Sequence, residues 1–241
     1  MIIDLVIPSI FPDNIIAGIA TGYNTDNIKE SYFETQSFNN ESIYLSRKKL
    51  ETFFSKDFES FYYQKQIHSD IVLIDNNNSK IQESDSIISN KIGRLYNTSI
   101  ADCQSILVYD AINNAISAIH SGWKGTKLNI VGKTINKMKV TYGSNPSNLL
   151  IYLSPSASVD NYEVGEEFKD IFPKTTARIE GKYYFDNRSE ILKQLLDSGV
   201  LKNNIESYNE CTITNNRFHS HRRDRSKSGR MSAFIGIRAS L

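Results

Sequence analysis

Four short segments concentrate the residue types that carry chemistry: Gln66-Ile67-His68-Ser69-Asp70, Ala101-Asp102-Cys103-Gln104, Ile119-His120-Ser121-Gly122-Trp123-Lys124-Gly125 and Phe218-His219-Ser220-His221-Arg222-Arg223-Asp224. The first three place an imidazole or a thiol at one end of an apolar stretch, where a rigid strand presents side chains to a cleft. His68, Cys103 and His120 together supply two imidazoles and one thiolate. Three such ligands with a fourth position open are the donor set of a catalytic zinc site. A water held there ionises near neutral pH. The ligands lie tens of residues apart, unlike the closely paired ligands of a zinc finger. The plainer alternative is that each is a core His or Cys satisfied within the protein, and residue type alone leaves that open.

The neighbouring residues are ambiguous in a similar way. If Cys103 faces a cleft from a strand, Asp102 faces away, because side chains alternate. If the two lie in a loop, Asp102 can orient a His or move a proton; a turn or cap role is equally open. Gly122 and Gly125 allow close backbone approach to a ligand. A helix beginning near Thr126 and Lys127 would turn free N–H groups toward an anion, with Lys124 adding charge. The same residues also suit a tight strand-to-helix turn with Trp123 in the core. Between Arg217 and Arg230, six basic residues (Arg217, Arg222, Arg223, Arg225, Lys227, Arg230) face one acid, Asp224. Arginine forks recognise phosphate, although a solvated basic loop is the blander account. Cys211 reads as a small core residue.

Positioning these groups requires strands. Apolar runs predict strands at Ile2–Ile7, Ile15–Ala20, Phe61–Ile67, Ile71–Ile74, Ser86–Ser89, Ser105–Tyr109, Ala115–His120, Leu149–Leu153, Lys182–Phe185 and Arg230–Ile237. Several are continuous rather than alternating, as in strands buried on both faces. Helical spacing marks three helices. Ile43, Leu50, Phe53 and Phe54 line one face of the first, and Leu128, Val131, Ile135 and Met138 that of the second. The third carries Ile191, Leu192, Leu195 and Leu196, with Asn187 and Glu190 spaced as a capping box and Gly199 as its stop. A fourth, short helix is expected at Gly165–Ile171, and Asn76–Lys80 reads as a turn. Strands outnumber helices without regular alternation, which points to an α+β fold of layered mixed β-sheets with helices packed outside rather than a Rossmann or TIM arrangement.

Composition narrows the function classes. The 241 residues suit one domain, 1–241, with no repeat or linker. A net charge of +1 offers no bulk attraction to nucleic acid or to an anionic membrane. Two cysteines make no disulfide framework. Asp4 interrupts the apolar start, no basic n-region precedes it, and no apolar run approaches ~20 residues. A cytoplasmic protein is therefore expected, without nucleic-acid or membrane partners, as a monomer or weak homodimer.

The blocks resemble, in order, those of the laccase-domain family, formerly labelled multicopper polyphenol oxidases and now regarded as purine nucleoside phosphorylases. That pattern runs Gln-x-His-Gly, Thr-Ala-Asp-Cys, His-Ala-Gly-Trp-Arg-Gly, Cys-Tyr-Glu-Val-Gly, Phe-Ser-x-Arg-Arg-Asp and Thr-Gly-Arg. Here it reads Gln66-Ile67-His68-Ser69, Ile100-Ala101-Asp102-Cys103, His120-Ser121-Gly122-Trp123-Lys124-Gly125, Asn161-Tyr162-Glu163-Val164-Gly165, His219-Ser220-His221-Arg222-Arg223-Asp224 and Ser228-Gly229-Arg230. The resemblance implies that His68, Cys103 and His120 ligate zinc, with copper as a substitute in vitro, on a fold related to putative Cys/His hydrolases. It implies phosphorolysis of adenosine, inosine and methylthioadenosine, and deamination of adenosine. Ser69, Ile100, Lys124, Asn161 and His219 depart from the pattern, and none of them belongs to the ligand trio. A four-copper oxidase needs roughly three ligands per metal, mostly imidazole, and the chain has only four histidines.

Phosphorolysis requires phosphate beside the anomeric carbon and a proton or hydrogen bond for the departing purine. The candidate substrate residues are Arg47, Gln66, Lys124, Arg222 and Arg223, with Arg47, Arg222 or Arg223 gripping phosphate. Asp102, Cys103 and His120 are the catalytic candidates. Asp102 or the metal's water manages the proton, and Asp102 or Glu163 shuttles it in deamination. The competing classes are a metal-free Cys/His hydrolase of amides or esters, with Cys103 as nucleophile and His120 as base, and a quality-control protein acting on cell-wall precursors.

Overall fold

A computed structural model describes residues 3–24, 29–76 and 82–239. Ile2 of the first expected strand and residues 77–80 of the expected turn lie outside them. The elements run β1 (Ile3–Val6), β2 (Ile15–Asn24), α1 (Asn40–Phe53), β3 (Ser60–Tyr63), β4 (Val72–Ile74), β5 (Ser86–Ser89), β6 (Arg94–Ile100), β7 (Gln104–Asp110), β8 (Ala115–Ser121), α2 (Trp123–Lys127), α3 (Ile130–Tyr142), β9 (Leu149–Leu153), β10 (Glu163–Val164), α4 (Phe168–Ile171), β11 (Thr176–Ile179), β12 (Lys182–Phe185), α5 (Asn187–Asp197), β13 (Ile205–Ser207), α6 (His221–Asp224) and β14 (Met231–Ile237).

Two mixed sheets stack face to face. One has the order β1-β2-β14-β6-β3, the other β13-β9-β7-β8-β5-β4. Their parallel pairs are β3 with β6, β13 with β9, and β4 with β5. Alternation along β7 explains the layering. Leu107 and Tyr109 pack toward the first sheet, against Ile19, Tyr96, Met231 and Ile235. Ile106 and Val108 point the other way, onto Ile130, Val131, Ile135 and Met138 of α3 and Ile191 and Leu195 of α5. On the far side of the first sheet, Leu50 and the C-cap Phe54 of α1 pack on Leu95 and Phe234. The result is helix, sheet, sheet, helix, an α+β arrangement of layered mixed sheets with helices outside. A small sheet, β10-β12-β11, stands beside these layers, over a cluster of Phe168, Phe172 and Phe185.

The elements differ from the sequence expectations in instructive places. Strand β3 ends at Tyr63 rather than at Ile67, because the chain then turns. Strand β6, interior in its sheet between β14 and β3, has no apolar signature: Asn97 and Thr98 are fully buried. Their polarity is met by bonds from Asn97 to the Tyr62 carbonyl and from Ser232 to Asn97, and between Thr98 and Ser105. Strands β10, β11 and β13 were likewise unmarked. Phe53 and Leu128 are exposed, outside the buried helix faces assigned to them. The helix after Gly122 starts at Trp123, not near Thr126, and breaks at Asn129, whose left-handed backbone (φ 56°) begins α3. Helix α5 is capped by Asp186, which accepts from Ser189 N, not by a box starting at Asn187. Asn187 is instead buried and donates to the Ser121 carbonyl. Gly199 does take the left-handed conformation expected of a stop (φ 93°).

Candidate metal centre

His120 closes β8. Ile116, Ala118 and His120 are alternate residues on that strand, and the first two pack between the sheets, so the imidazole enters the same layer. Cys103 sits in the bend from β6 to β7, and His68 in the turn after β3, where its backbone is left-handed (φ 58°). The candidate ligand atoms of the three residues lie within 4.8 Å of one another. Cys103 Sγ is 4.0 Å from His68 Nε2, and the two imidazoles meet edge to face with centroids 4.9 Å apart.

The donor set suits a borderline-soft ion such as zinc. Zinc binds thiolate sulfur at ~2.3 Å and imidazole nitrogen at ~2.0–2.1 Å, so one ion reaches a sulfur and a nitrogen up to about 4.4 Å apart; the Cys103–His68 separation lies inside that reach. Gly122 supplies a second test. A Cβ there would stand 2.8 Å from Cys103 Sγ and 3.2 Å from His68 Cδ2. Only a bare α-carbon lets the start of α2 close over the trio.

Asp85 lies outside the four segments that the sequence marks for chemistry. It is fully buried just before β5 and accepts His120 Nδ1–H at 2.9 Å. It also accepts the backbone N–H groups of Ile67, His68 and Ser69 and the Ser69 hydroxyl. One carboxylate thus fixes the ring of one ligand and the turn bearing another, leaving Nε2 of His120 for a metal or the thiol. Burial alone would raise the Asp85 pKa, but the hydrogen bond and charge of His120 and the Ser69 donors outweigh it and bring it to about 2. Burial likewise opposes ionisation of Cys103 and His120, yet the imidazoles lower the thiol and the thiolate and Asp85 raise His120. The sequence signal was an acid abutting a strand buried on both faces, a costly placement unless the charge is used.

The trio opens on a cavity of about 400 Å³, within the ~300–1,000 Å³ usual for small-molecule sites. Glu34, Gln64, Gln66, His221 and Arg230 share its wall. Of the substrate candidates read from sequence, only Gln66 lines it, and its amide is engaged at both ends with the Ser99 backbone. Arg47 lies behind the wall, donating to the Tyr32 carbonyl and stacked over Tyr63, 4.1 Å from its ring centre. Lys124 is exposed beside Trp123 and does not line the cavity. Arg222 covers Tyr162 and donates to the Glu163 carbonyl, while the Glu163 side chain pairs with Lys182. Arg223 is held by Asp224 and by the carbonyls of Thr212 and Phe218. Asp102, left-handed at φ 88°, spends one oxygen on Thr212 Oγ1 (2.7 Å) and the other on Arg222 N (2.6 Å). Arg230, which the sequence places in a basic run and in the Ser228-Gly229-Arg230 block but not among the substrate candidates, lines the cavity with one nitrogen anchored on the Gly229 carbonyl.

Two further residues complete the picture. His219 is fully buried between Gly22 and Gly229, where a Cβ would come within 2.6 and 2.4 Å of its ring. Its Nε2–H donates to the Glu30 carbonyl (2.6 Å) and Nδ1 accepts Gly229 N–H (3.3 Å). Burial pushes its pKa down to about 4. Cys211 is half-buried rather than a core residue, and accepts Ser158 N–H at 3.3 Å.

Known proteins resemble the chain in sequence and in fold. The chain is 37% identical over 179 residues to a purine nucleoside phosphorylase of Clostridium acetobutylicum, covering 72% of this chain and 75% of that protein. It is 32% identical over 179 residues to one of Aquifex aeolicus, covering 73% and 83%. The crystal structure of YlmD from Geobacillus stearothermophilus shares the fold with a TM-score of 0.87 at 22% identity, over 96% of this chain and 94% of that one. The profile described as multi-copper polyphenol oxidoreductase laccase matches residues 31–238, and the chain belongs to that family.

Proposed function

We propose that the protein is a zinc-dependent purine nucleoside phosphorylase acting on adenosine, inosine and methylthioadenosine, with adenosine deamination at the same centre. The observation that carries this reading is the meeting of His68, Cys103 and His120 at a cavity of nucleoside size. The names of the relatives support the phosphorylase part of this reading. His68 Nε2, Cys103 Sγ and His120 Nε2 would hold the metal, which when bound would supply Lewis acidity. Asp85 keeps the His120 ring in one tautomer and orientation. Arg230 lines the cavity and serves as the phosphate ligand, in place of Arg47 and Arg223, whose forks are committed elsewhere. Glu34 accepts from ribose hydroxyls. His219 has both ring nitrogens engaged, so the chain has too few free imidazoles for the multicopper chemistry in the family's description. The reading places the protein in the cytoplasm as one domain, monomeric or weakly dimeric.

The test is metal analysis of purified protein together with detection of free base and ribose 1-phosphate from a nucleoside mixture with phosphate. Ammonia release from adenosine reports the deaminase. Zinc-free His68→Ala or Cys103→Ala protein with full phosphorolysis would sink the assignment. One observation favours a second reading: Cys103, His120 and Asp85 also form the thiol, imidazole and carboxylate series of a cysteine hydrolase. Cleavage of an amide or ester that persists under a strong chelator would select it.

A further inference from the structure

The phosphorolysis reading, on which this inference rests, leaves one role to fill, that of the group that protonates the departing purine. Asp102 is unsuited. It does not line the cavity, and both carboxylate oxygens are occupied, by Thr212 Oγ1 and Arg222 N. The Glu163 carboxylate is paired with Lys182. Apart from the ligand trio, the ionisable groups on the cavity wall are Glu34, His221 and Arg230. Guanidinium does not give up its proton in proteins. A carboxyl group is ordinarily ionised at neutral pH and so accepts rather than donates. Imidazole exchanges its proton near neutrality.

His221 is also placed for the task. It opens α6, whose cap Ser220 accepts Arg223 N–H at 3.1 Å. The next peptide N–H, that of Arg222, is clamped by Asp102. Arg222 and Arg223 fix the rest of the turn through the carbonyls of Glu163, Thr212 and Phe218. The backbone carrying His221 is therefore held from several sides, while among the described residues nothing hydrogen-bonds its ring, which is exposed toward the cavity. Asp102 adjoins ligand Cys103 in sequence, so the same clamp ties the metal centre to α6.

We infer that His221 is the catalytic acid for the leaving purine and that Asp102 is a positioning residue acting through α6. A phosphate oxygen forms the new bond to C1′. The C1′–N bond breaks with its electron pair passing to the purine. The imidazolium proton goes to a purine ring nitrogen, and the neutral imidazole regains a proton from solvent.

The test compares inosine with 7-methylinosine, whose base already carries the positive charge and leaves without a proton. General acid catalysis contributes about 10²–10⁴-fold. His221→Gln in the zinc-loaded protein is therefore expected to lower kcat on inosine by about 100-fold or more, with KM nearly unchanged, and to lower turnover of 7-methylinosine by less than about tenfold. His221→Asn gives the same pattern, and zinc content and melting temperature stay at the wild-type level. Asp102→Ala, which removes both the Arg222 N–H and the Thr212 contacts, shows the same substrate contrast and adds no further loss in the His221→Gln background. Near-wild-type inosine turnover in both His221 variants, or equal losses on the two substrates, overturns the proposal. If the wild type releases no base from either nucleoside, the phosphorolysis reading itself has failed and this assignment falls with it.

Discussion

Replacing Asp85 by Asn tests the architecture of the centre most directly. The substitution preserves shape and removes one acceptor. Asp85 Oδ2 takes Ile67 N, Ser69 N and Ser69 Oγ, and Oδ1 takes His68 N and His120 Nδ1. Whichever way an amide is turned, its NH₂ meets two or three donors, all partly buried except His120 Nδ1, which is buried. Each donor left unpaired costs about 1–3 kcal/mol, so the expected loss of stability is roughly 2–9 kcal/mol. For a chain of this length each kcal/mol moves the melting temperature by about 2–4 °C, giving a fall of at least roughly 4 °C and up to tens of degrees. Freed from its carboxylate, His120 also loses its fixed tautomer, and loss of such a partner weakens metal binding by about 10–100-fold. Thermal unfolding with and without chelator measures the first effect, and competition against a chromophoric zinc chelator the second. If Asp85→Asn melts within about 2 °C of wild type and binds zinc as tightly, the claim that one buried carboxylate organises the site is refuted.

Other consequences are open to measurement. His219 titrates at about 4 in the folded protein against an ordinary 6.5, so between those values the unfolded chain binds more protons. Its contribution to stability is complete above about pH 6.5 and is lost as pH falls toward 4, amounting to about 2 kcal/mol between pH 7.5 and 5. Urea unfolding of metal-free protein, referenced to His219→Phe, should show that difference, and identical pH dependence in the two proteins would contradict it. Gly122→Ala drives a methyl group to 2.8 Å from Cys103 Sγ and should lower zinc affinity by about tenfold or more; full zinc occupancy under chelator competition would show that the close approach is dispensable. Arg230→Gln should raise KM for phosphate by about tenfold or more, as expected for a lost charge-assisted bond, and leave melting nearly unchanged. Arg223→Gln should do the reverse, destabilising by about 2–4 kcal/mol because it frees the carbonyls of Thr212 and Phe218. Exchanged outcomes would restore Arg223 as the phosphate residue.

The sequence by itself determined the strands that announce themselves by apolar runs, such as Ser86–Ser89 and Leu149–Leu153, and three main helices by their spacing. It also singled out His68, Cys103 and His120, because imidazoles and a thiol at strand ends are few in this chain and each lies in a distinctive block. It did not disclose β6, whose buried Asn97 and Thr98 read as polar until Tyr62, Ser105 and Ser232 are seen to satisfy them. Nor could it rank the arginines. Arg222, Arg223 and Arg230 are chemically alike and close in sequence, and only the packed chain sends one into the cavity and two onto backbone carbonyls. Asp85 and Asp102 make the same point from opposite sides. Local sequence specifies which groups a residue carries. Which donors converge on them depends on segments far apart in the chain, such as residues 67–69 with His120, or Thr212 with Arg222, and those meet only when the sheets stack.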